Sequence, residues 1–326
     1  MKKTAFILTG LIISVSLTAC KEQPASSETP VSVSESSILA SVEESSEDIF
    51  YEPVPEPETT ELSEEYSDTE VFIPPKETTI SDYQSIVVNN KCVLLKYTGT
   101  EKRVIVPSCV TVEGKDYEIE IGQGCFKDTD ITSLSLPEYT TEIPDSMCEN
   151  CKMLDTVTFN NVASIGKMAF YKCESLKIRF SDLNSADQTV IKKIGERAFS
   201  FSGLYGKIFV KKDLELEEGA FQGCKHLQEV EFESGITEIP HRVFAENSAL
   251  EKITLPDTVI KIGKTAFSRS IVSSITIPKS VTEIGDYFIS TYSEGFVIYT
   301  GAILGYKGSA AETYAKDNDI VFYPLD

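Results

Sequence analysis

From about residue 120 onward the apolar residues follow one repeating pattern. A run of the form Ile-Gly-x-x-Ala-Phe is followed, some residues later, by a short stretch in which aliphatic and polar side chains alternate. The clearest copies are Ile165-Gly166-Lys167-Met168-Ala169-Phe170-Tyr171-Lys172-Cys173-Glu174-Ser175-Leu176 and Leu216-Glu217-Glu218-Gly219-Ala220-Phe221-Gln222-Gly223-Cys224-Lys225-His226-Leu227. Looser copies begin at Ile121, Ile143, Ile194, Ile239, Ile262 and Ile284. The equivalent aromatic positions are Phe126, Cys148, Phe170, Phe199, Phe221, Phe244, Phe267 and Ile289, spaced by 22, 22, 29, 22, 23, 23 and 22 residues. One insertion of about seven residues within 181–193 accounts for the exception.

A period of 20–29 residues with alternating aliphatics predicts a solenoid of stacked coils. The alternating stretches are Leu134–Leu136, Val157–Phe159, Ile178–Phe180, Ile208–Val210, Val230–Phe232, Ile253–Leu255 and Ile275–Ile277. Alternation with period two puts one side chain in and the next out. Stacked at about 4.8 Å, these strands predict a parallel sheet of roughly 30 Å. The Ile-Gly-x-x-Ala-Phe half must return along the other side. Gly166, Gly195, Gly263 and Gly285 suit a tight turn there, and the Phe column fills the interior.

Both ends of the array carry caps, as a solenoid requires. Ile86–Tyr97, with Asn89-Asn90 between short apolar runs, predicts a hairpin followed by an apolar run at Val104–Val106. Ser309–Lys316 predicts a short helix and Ile320–Tyr323 a last strand. Over residues 83–326 the chain resembles the BspA-type leucine-rich repeats, whose pattern is Ile-Gly-x-x-Ala-Phe-x-x-Cys-x-x-Leu-x-x-Ile-x-Ile-Pro. Ile262–Phe267 and Ile275–Pro278 match it closely, and the Ser309–Ala315 tail is similar to that family's terminator. The expected fold is therefore a mostly β leucine-rich-repeat solenoid. A parallel sheet forms one face, with tight turns and short return segments on the other. A β-hairpin caps the N-terminus and a helix plus a strand caps the C-terminus.

Charge divides the rest of the chain. Of the net −21, residues 21–82 carry 17 acids and 2 lysines, or −15, while residues 83–326 carry 34 acids and 26 bases, or −8. Neither part has the basic excess that nucleic acid demands. Residues 21–82 are rich in Ser, Glu, Thr and Pro with few apolar groups, so burial cannot offset the entropy of folding. They predict an extended tether, about 45 Å on average for a flexible coil. Ahead of it, Lys2 and Lys3 precede the apolar run Ala5–Leu17, too short to span a bilayer comfortably. Leu17-Thr18-Ala19-Cys20 resembles a bacterial lipobox, in which Cys20 receives a diacylglyceryl group. The expected organisation is a signal peptide at 1–19, a tether at 20–82, a β cap at 83–118, about eight repeats at 119–300 and a terminal cap at 301–326.

Of eight cysteines, Cys151, Cys173 and Cys224 share a column with Thr129, Ser202, Asn247 and Ser270. That column calls for a small, weakly polar group against backbone. A Cys151–Cys173 disulfide is conceivable at the spacing of adjacent coils, and Cys92 and Cys109 could pair in the cap. Cys125 and Cys148 occupy an Ala and a Phe slot of the core. Cysteine spacing gives no zinc site. His226 and His241 fall at variable positions in different repeats. No catalytic constellation stands out, so neither an enzyme, a metal nor a cofactor is expected.

The outward residues of the sheet point to a ligand face. Lys177 and Arg179 adjoin Lys207, Phe209, Lys211 and Lys212, and the next strand shows Glu229, Glu231 and Glu233. Two readings follow. Lys207 pairs with Glu229 and Lys211 with Glu233 across the strands, or these residues form a contact patch anchored by Phe209. The resemblance implies adhesion to host extracellular proteins or neighbouring cells. With the lipobox, the expectation is a monomeric module on the outer face of a bacterial membrane, anchored through Cys20 and binding a protein or glycan at the sheet. The alternatives are a scaffolding protein of the envelope and, more remotely, a surface hydrolase.

Overall fold

The computed structural model describes residues 77–179, 191–293, 296–298 and 301–326, with residues 291–293 and 296–298 described by backbone alone. The repeats wind as successive coils joined by parallel strand pairing. One sheet runs along the coils in three blocks of three strands. These are Arg103–Ile105, Ser133–Ser135 and Thr156–Thr158; Tyr205–Val210, His226–Phe232 and Lys252–Thr254; and Ser274–Thr276, Ala302–Gly305 and Val321–Pro324. Between the first two blocks, Arg179 forms an isolated parallel bridge to Tyr205 of the second. The expected strand Ile178–Phe180 is thus reduced to one bridge at Arg179, and Phe180 and the insertion through 190 lie outside the described residues.

A second, narrower sheet lines the return side. It comprises Glu142–Ile143, Ser164–Ile165, Lys193–Ile194 and Glu215–Leu216, then Glu238–Ile239, Lys261–Ile262 and Glu283–Ile284. The residue after each strand donates its N–H to the coil before. Gly166 bonds the Ile143 carbonyl at 2.8 Å, Gly195 that of Ile165 at 2.9 Å and Gly263 that of Ile239 at 2.8 Å. Pro144 and Pro240 hold this place in two coils and have no N–H to give. The sheet is interrupted at both.

These glycines correct the turn expectation. Gly166, Gly195, Gly263 and Gly285 are absent from the positive-φ residues. They are needed because the previous coil passes too close for a side chain. A Cβ on Gly263 would lie 2.7 Å from the Ile239 carbonyl oxygen and 2.7 Å from the His241 nitrogen. The left-handed positions lie further along the coil, in pairs such as Met168 and Lys172 (φ 54° and 60°) or Thr265 and Arg269 (φ 54° and 59°). Such φ values are uncommon for residues other than glycine. Hydrogen bonding offsets them here, because these residues hand their N–H groups to the next coil. Met168, Phe170 and Lys172 donate to the carbonyls of Glu196, Ala198 and Ser200 at 2.9, 2.8 and 2.9 Å. The alternating residues close tight turns within their own coil, as Ala169 does on Gly166 and Cys173 on Phe170.

The core is the Phe column. Phe126, Phe170, Phe199, Phe221, Phe244 and Phe267 are fully buried. From Phe170 to Phe267 the rings stack with centroids 5.3, 5.8, 5.4 and 6.1 Å apart and planes within 14°. Repeating one side chain at one coil position sets successive rings nearly parallel, a stacked arrangement of the kind aromatic pairs favour. The seven-residue insertion between Phe170 and Phe199 leaves their stack undisturbed.

The caps close the two ends. Tyr83–Val88 and Lys91–Tyr97 pair antiparallel about Asn89 and Asn90 (φ 50° and 63°), both left-handed as a two-residue hairpin turn requires. Tyr83 and Tyr97 cover Phe126 at 6.2 and 5.7 Å. At the other end α1 (Ala310–Asp317) starts at Ser309, whose side chain accepts the Glu312 N–H, and buries Ala311 and Ala315. The strand Val321–Pro324 then pairs with Ala302–Gly305. Phe288 stands in the column that holds Ala169, Ala198, Ala220 and Ala266, and packs on Tyr314 at 5.1 Å. A larger side chain fits there because the helix follows in place of another coil.

The cysteine column behaves as the sequence suggests. Cys151, Cys173 and Cys224 donate to the carbonyls of Phe126, Cys148 and Phe199 at 2.9, 3.1 and 3.2 Å. Asn247 donates to Phe221 at 3.1 Å and Thr129 to Phe126 at 2.7 Å. Each side chain supplies a donor to a buried carbonyl, which would otherwise carry a desolvation penalty. Neither conceivable disulfide forms: Cys92, Cys151 and Cys173 are all buried free thiols. In the column each thiol points at a carbonyl of the neighbouring coil. Burial pushes Cys125 and Cys224 up to about 12, and Cys148 and Cys173 well above the ordinary thiol range. Cys151 is held below that range by its hydrogen bond to the Cys148 side chain.

Two predictions follow from this packing. Gly263→Ala forces a Cβ into backbone and is expected to lose about 1–3 kcal/mol in urea unfolding. Gly219→Ala, at a left-handed place where other coils carry Met168 or Thr265, is expected to lose only about 1 kcal/mol. The reverse order would refute the close-approach account. The raised thiols stabilise the fold fully below the unfolded thiol pKa of about 8.5. That contribution is lost as pH rises through about 12 for Cys224. Cys224→Ser keeps a donor in the column without a titrating thiol. Its stability deficit against the parent is expected to shrink as pH rises above about 9; a deficit that stays constant would exclude the linkage.

Candidate functional site

The outer face of the first sheet is built from alternate residues of its strands. Most strands have three residues, but Tyr205–Val210 has six and His226–Phe232 seven. Within them Ile208, Val210, Val230 and Phe232 turn inward and are buried. Lys207, Phe209, Glu229 and Glu231 therefore turn outward. Register places Lys207 beside Glu229 and Phe209 beside Glu231. Phe209 is 41% exposed.

The charged residues predicted for this face are largely paired with one another. Lys207 Nζ lies 2.6 Å from Glu231 and 3.3 Å from Glu229. Glu229 also meets Lys252 at 2.7 Å, and Lys177 meets Asp155 at 2.9 Å. The Glu231 carboxylate raises the Lys207 pKa, and Lys252 holds Glu229 below the usual carboxylate range. Arg179 lies over the Tyr205 ring, 5.4 Å from its centroid, and donates from Nε to the Tyr205 hydroxyl at 3.2 Å. The expected Lys211–Glu233 pair does not form. The strand ends at Val210, the chain turns where Leu214 N–H bonds the Lys211 carbonyl, and Glu233 accepts the Lys212 backbone N–H at 2.8 Å. The structure thus gathers Lys207, Phe209, Glu229 and Glu231 tightly. Lys177 and Arg179 lie on the preceding coil, and Lys211 and Glu233 at the far strand ends.

Sequence reading missed Asp155, Tyr205 and Lys252 on this face, and a cleft at the start of its strands. The cleft is about 590 Å³, within the ~300–1,000 Å³ of small-molecule sites. Glu174, Lys177, Tyr205, His226 and Gln228 line it, with the small residues Ser175, Gly203 and Ala249 leaving the space. A register shift between Gly206 and Lys207 leaves Gln228 as an extra residue on the partner strand. Such bulges re-aim side chains. The signal was present in the spacing of core positions: Leu154 to Val157, Leu227 to Val230 and Leu250 to Ile253 are three apart, whereas Leu204 to Ile208 is four and Leu176 to Ile178 two. His241 is exposed in a turn.

Cys20 lies outside the described residues. Among the described residues no helix is long and apolar enough to cross a membrane, and no group of three or more candidate ligands could hold a metal ion.

Comparison with solved structures finds repeat proteins of bacteria. A leucine-rich cell-surface protein from Faecalibacterium prausnitzii A2-165 is 27% identical over 72% of this chain and 55% of its own, with a TM-score of 0.43. The present chain thus spans about half the length of that protein. A leucine-rich-repeat protein of T. pallidum is 23% identical over 60% of this chain and 89% of its own, with a TM-score of 0.49. One from Bacteroides ovatus ATCC 8483 is 22% identical over 70% of each chain, with a TM-score of 0.50, and shares the fold. No curated protein matches. The family model for the BspA type leucine-rich-repeat region matches six copies, over residues 119–215 and 184–294. With that match covering more than half of its length, the chain belongs to the BspA-type leucine-rich-repeat family.

Proposed function

We propose that this chain is a non-enzymatic binding module displayed on the outer face of a bacterial cell, held there by a diacylglyceryl group on Cys20. Its partner is a protein that docks on the first sheet. The observation that carries this reading is Phe209, an aromatic ring 41% exposed on a sheet face whose neighbouring charges are already paired. Exposed aromatics surrounded by groups that exclude water are the usual anchors of protein interfaces. Family membership supports a surface role, and the Faecalibacterium relative is described as a cell-surface protein. The export signal and the acidic tether fit the same picture. Scaffolding within the cell's own envelope is the second reading, distinguished by which partner is captured.

The full chain is to be tested against host extracellular-matrix proteins and purified cell wall by surface plasmon resonance. Phe209→Ala with Lys207→Glu is expected to leave circular dichroism unchanged and weaken binding roughly thirtyfold, the loss of about 2 kcal/mol typical of an interface anchor. Unchanged affinity in that variant removes the sheet face as the contact. Cys20→Ser is expected to abolish incorporation of labelled acyl chains and release the protein from the membrane fraction. Retained label would overturn the anchor.

A further inference from the structure

A second cleft lies on the return side of the solenoid, away from Phe209. It is about 710 Å³, large enough to enclose most of a small molecule. It opens at the first interruption of the second sheet. The cap strand Lys115–Ile121 forms one wall and Glu142–Ile143 begins the next sheet. Pro144 withholds the N–H that would join them.

The wall chemistry is specific. The Tyr139 hydroxyl lies 2.6 Å from the Ser108 carbonyl and 2.9 Å from that of Ile119. Donating to that pair, it holds the ring in one orientation while the residue stays 40% exposed. Glu142 has no ion pair and no side-chain hydrogen bond among the described residues. Asp145 uses Oδ1 on the Lys167 N–H at 2.7 Å, which leaves its other oxygen for a ligand. Thr141 adds a hydroxyl. The cations around the cleft are already engaged: Lys91 with Glu118 and Glu120 at 3.6 and 3.5 Å, and Lys193 with Glu215 and Glu217 at 3.2 and 2.6 Å.

These facts select a ligand class. An anion would find no uncommitted ammonium and would meet Glu142. A polycation would meet Lys91, Lys167 and Lys193. A neutral ligand rich in hydroxyls suits the remaining groups, because each carboxylate oxygen accepts from O–H. The negative face of a fixed aromatic ring attracts the polarised C–H groups of a sugar. The geometry points to a second ligand site here, taking an uncharged oligosaccharide that stacks on Tyr139 and hydrogen-bonds to Glu142, Asp145 and Thr141. This site is independent of the sheet face, and its test separates the two.

The full-length protein is to be screened on immobilised uncharged oligosaccharides (β-glucan, chitin, mannan and galactan fragments), with oligolysine and heparin as charged probes. Hits are then titrated by calorimetry. At least one uncharged oligosaccharide is expected to bind, with affinity lost tenfold or more in Tyr139→Ala and in Glu142→Ala and retained in Phe209→Ala. The Tyr139 hydroxyl helps hold the cap strand, so Tyr139→Ala could unfold the cap. Glu142→Ala removes a side chain with no described partner and keeps the test decisive. The site is overturned if no uncharged oligosaccharide binds, if Glu142→Ala leaves binding intact, if Phe209→Ala abolishes it, or if only oligolysine or heparin is retained.

Discussion

Every coil of this protein must share its backbone hydrogen bonds with the coils on either side at one fixed rise, and the rest of the structure is subordinate to that hydrogen bonding. On the turn side alternate N–H groups go forward to the next coil while those between close local turns, as Met168, Phe170 and Lys172 do around Ala169 and Tyr171. The same rule explains where the chain tolerates change. Seven extra residues between two coils leave Phe170 and Phe199 stacked at 5.3 Å, because the turn-side bonds between those coils still form, Phe170 donating to the Ala198 carbonyl at 2.8 Å. A single proline at position 144 or 240 has a larger effect, since it removes one donor from the ladder and ends a sheet.

The periodicity was legible because a solenoid repeats one environment, and one environment selects one residue type. The Phe column, the polar column around Cys151 and Cys224, and both caps could be read on that ground. What could not be read follows from ambiguities of residue type. Glycine serves both a left-handed φ and a close approach, and Gly166 and Gly263 serve the second. The left-handed places hold Met168, Lys172, Thr265 and Arg269, whose side chains give no hint of it, since inter-coil bonds outweigh their propensity. The second sheet was hidden because its strands are two residues long, too short to alternate. The outer face of the first sheet was readable as a set of outward residues. Its pairing at the far end was not, since Lys211 leaves the strand before it can meet Glu233.

Charge on the regular surface is spent internally. Lys167 with Glu196, Lys193 with Glu215 and Glu217, and Lys261 with Glu238 run along the return side as a ladder of exposed pairs. Exposed pairs of this kind add little stability. They do remove uncompensated charge from neighbouring coils, where like charges in register would repel. Groups left outside that ladder stand out against it. Phe209 on one face and Glu142 on the other are two such groups, and both sit where the repeat departs from its norm: at the lengthened strands and at a proline break.

Size then limits how the first sheet can be used. A strand of three residues spans about 10 Å, and nine strands spaced about 4.8 Å apart span roughly 38 Å. The projected area is about 380 Å², near half of the ~800 Å² that each partner contributes to a stable protein interface. Two outward side chains per coil are too few to define a ligand on a strip of that width. The lengthened strands Tyr205–Val210 and His226–Phe232 double the width where Phe209 stands, and the cleft around Tyr205, His226 and Gln228 continues the surface beyond the strand starts. If a protein docks on this face as proposed, it must reach past the sheet into that cleft, and the irregular central coils, braced by the uniform coils on either side, would then set its affinity.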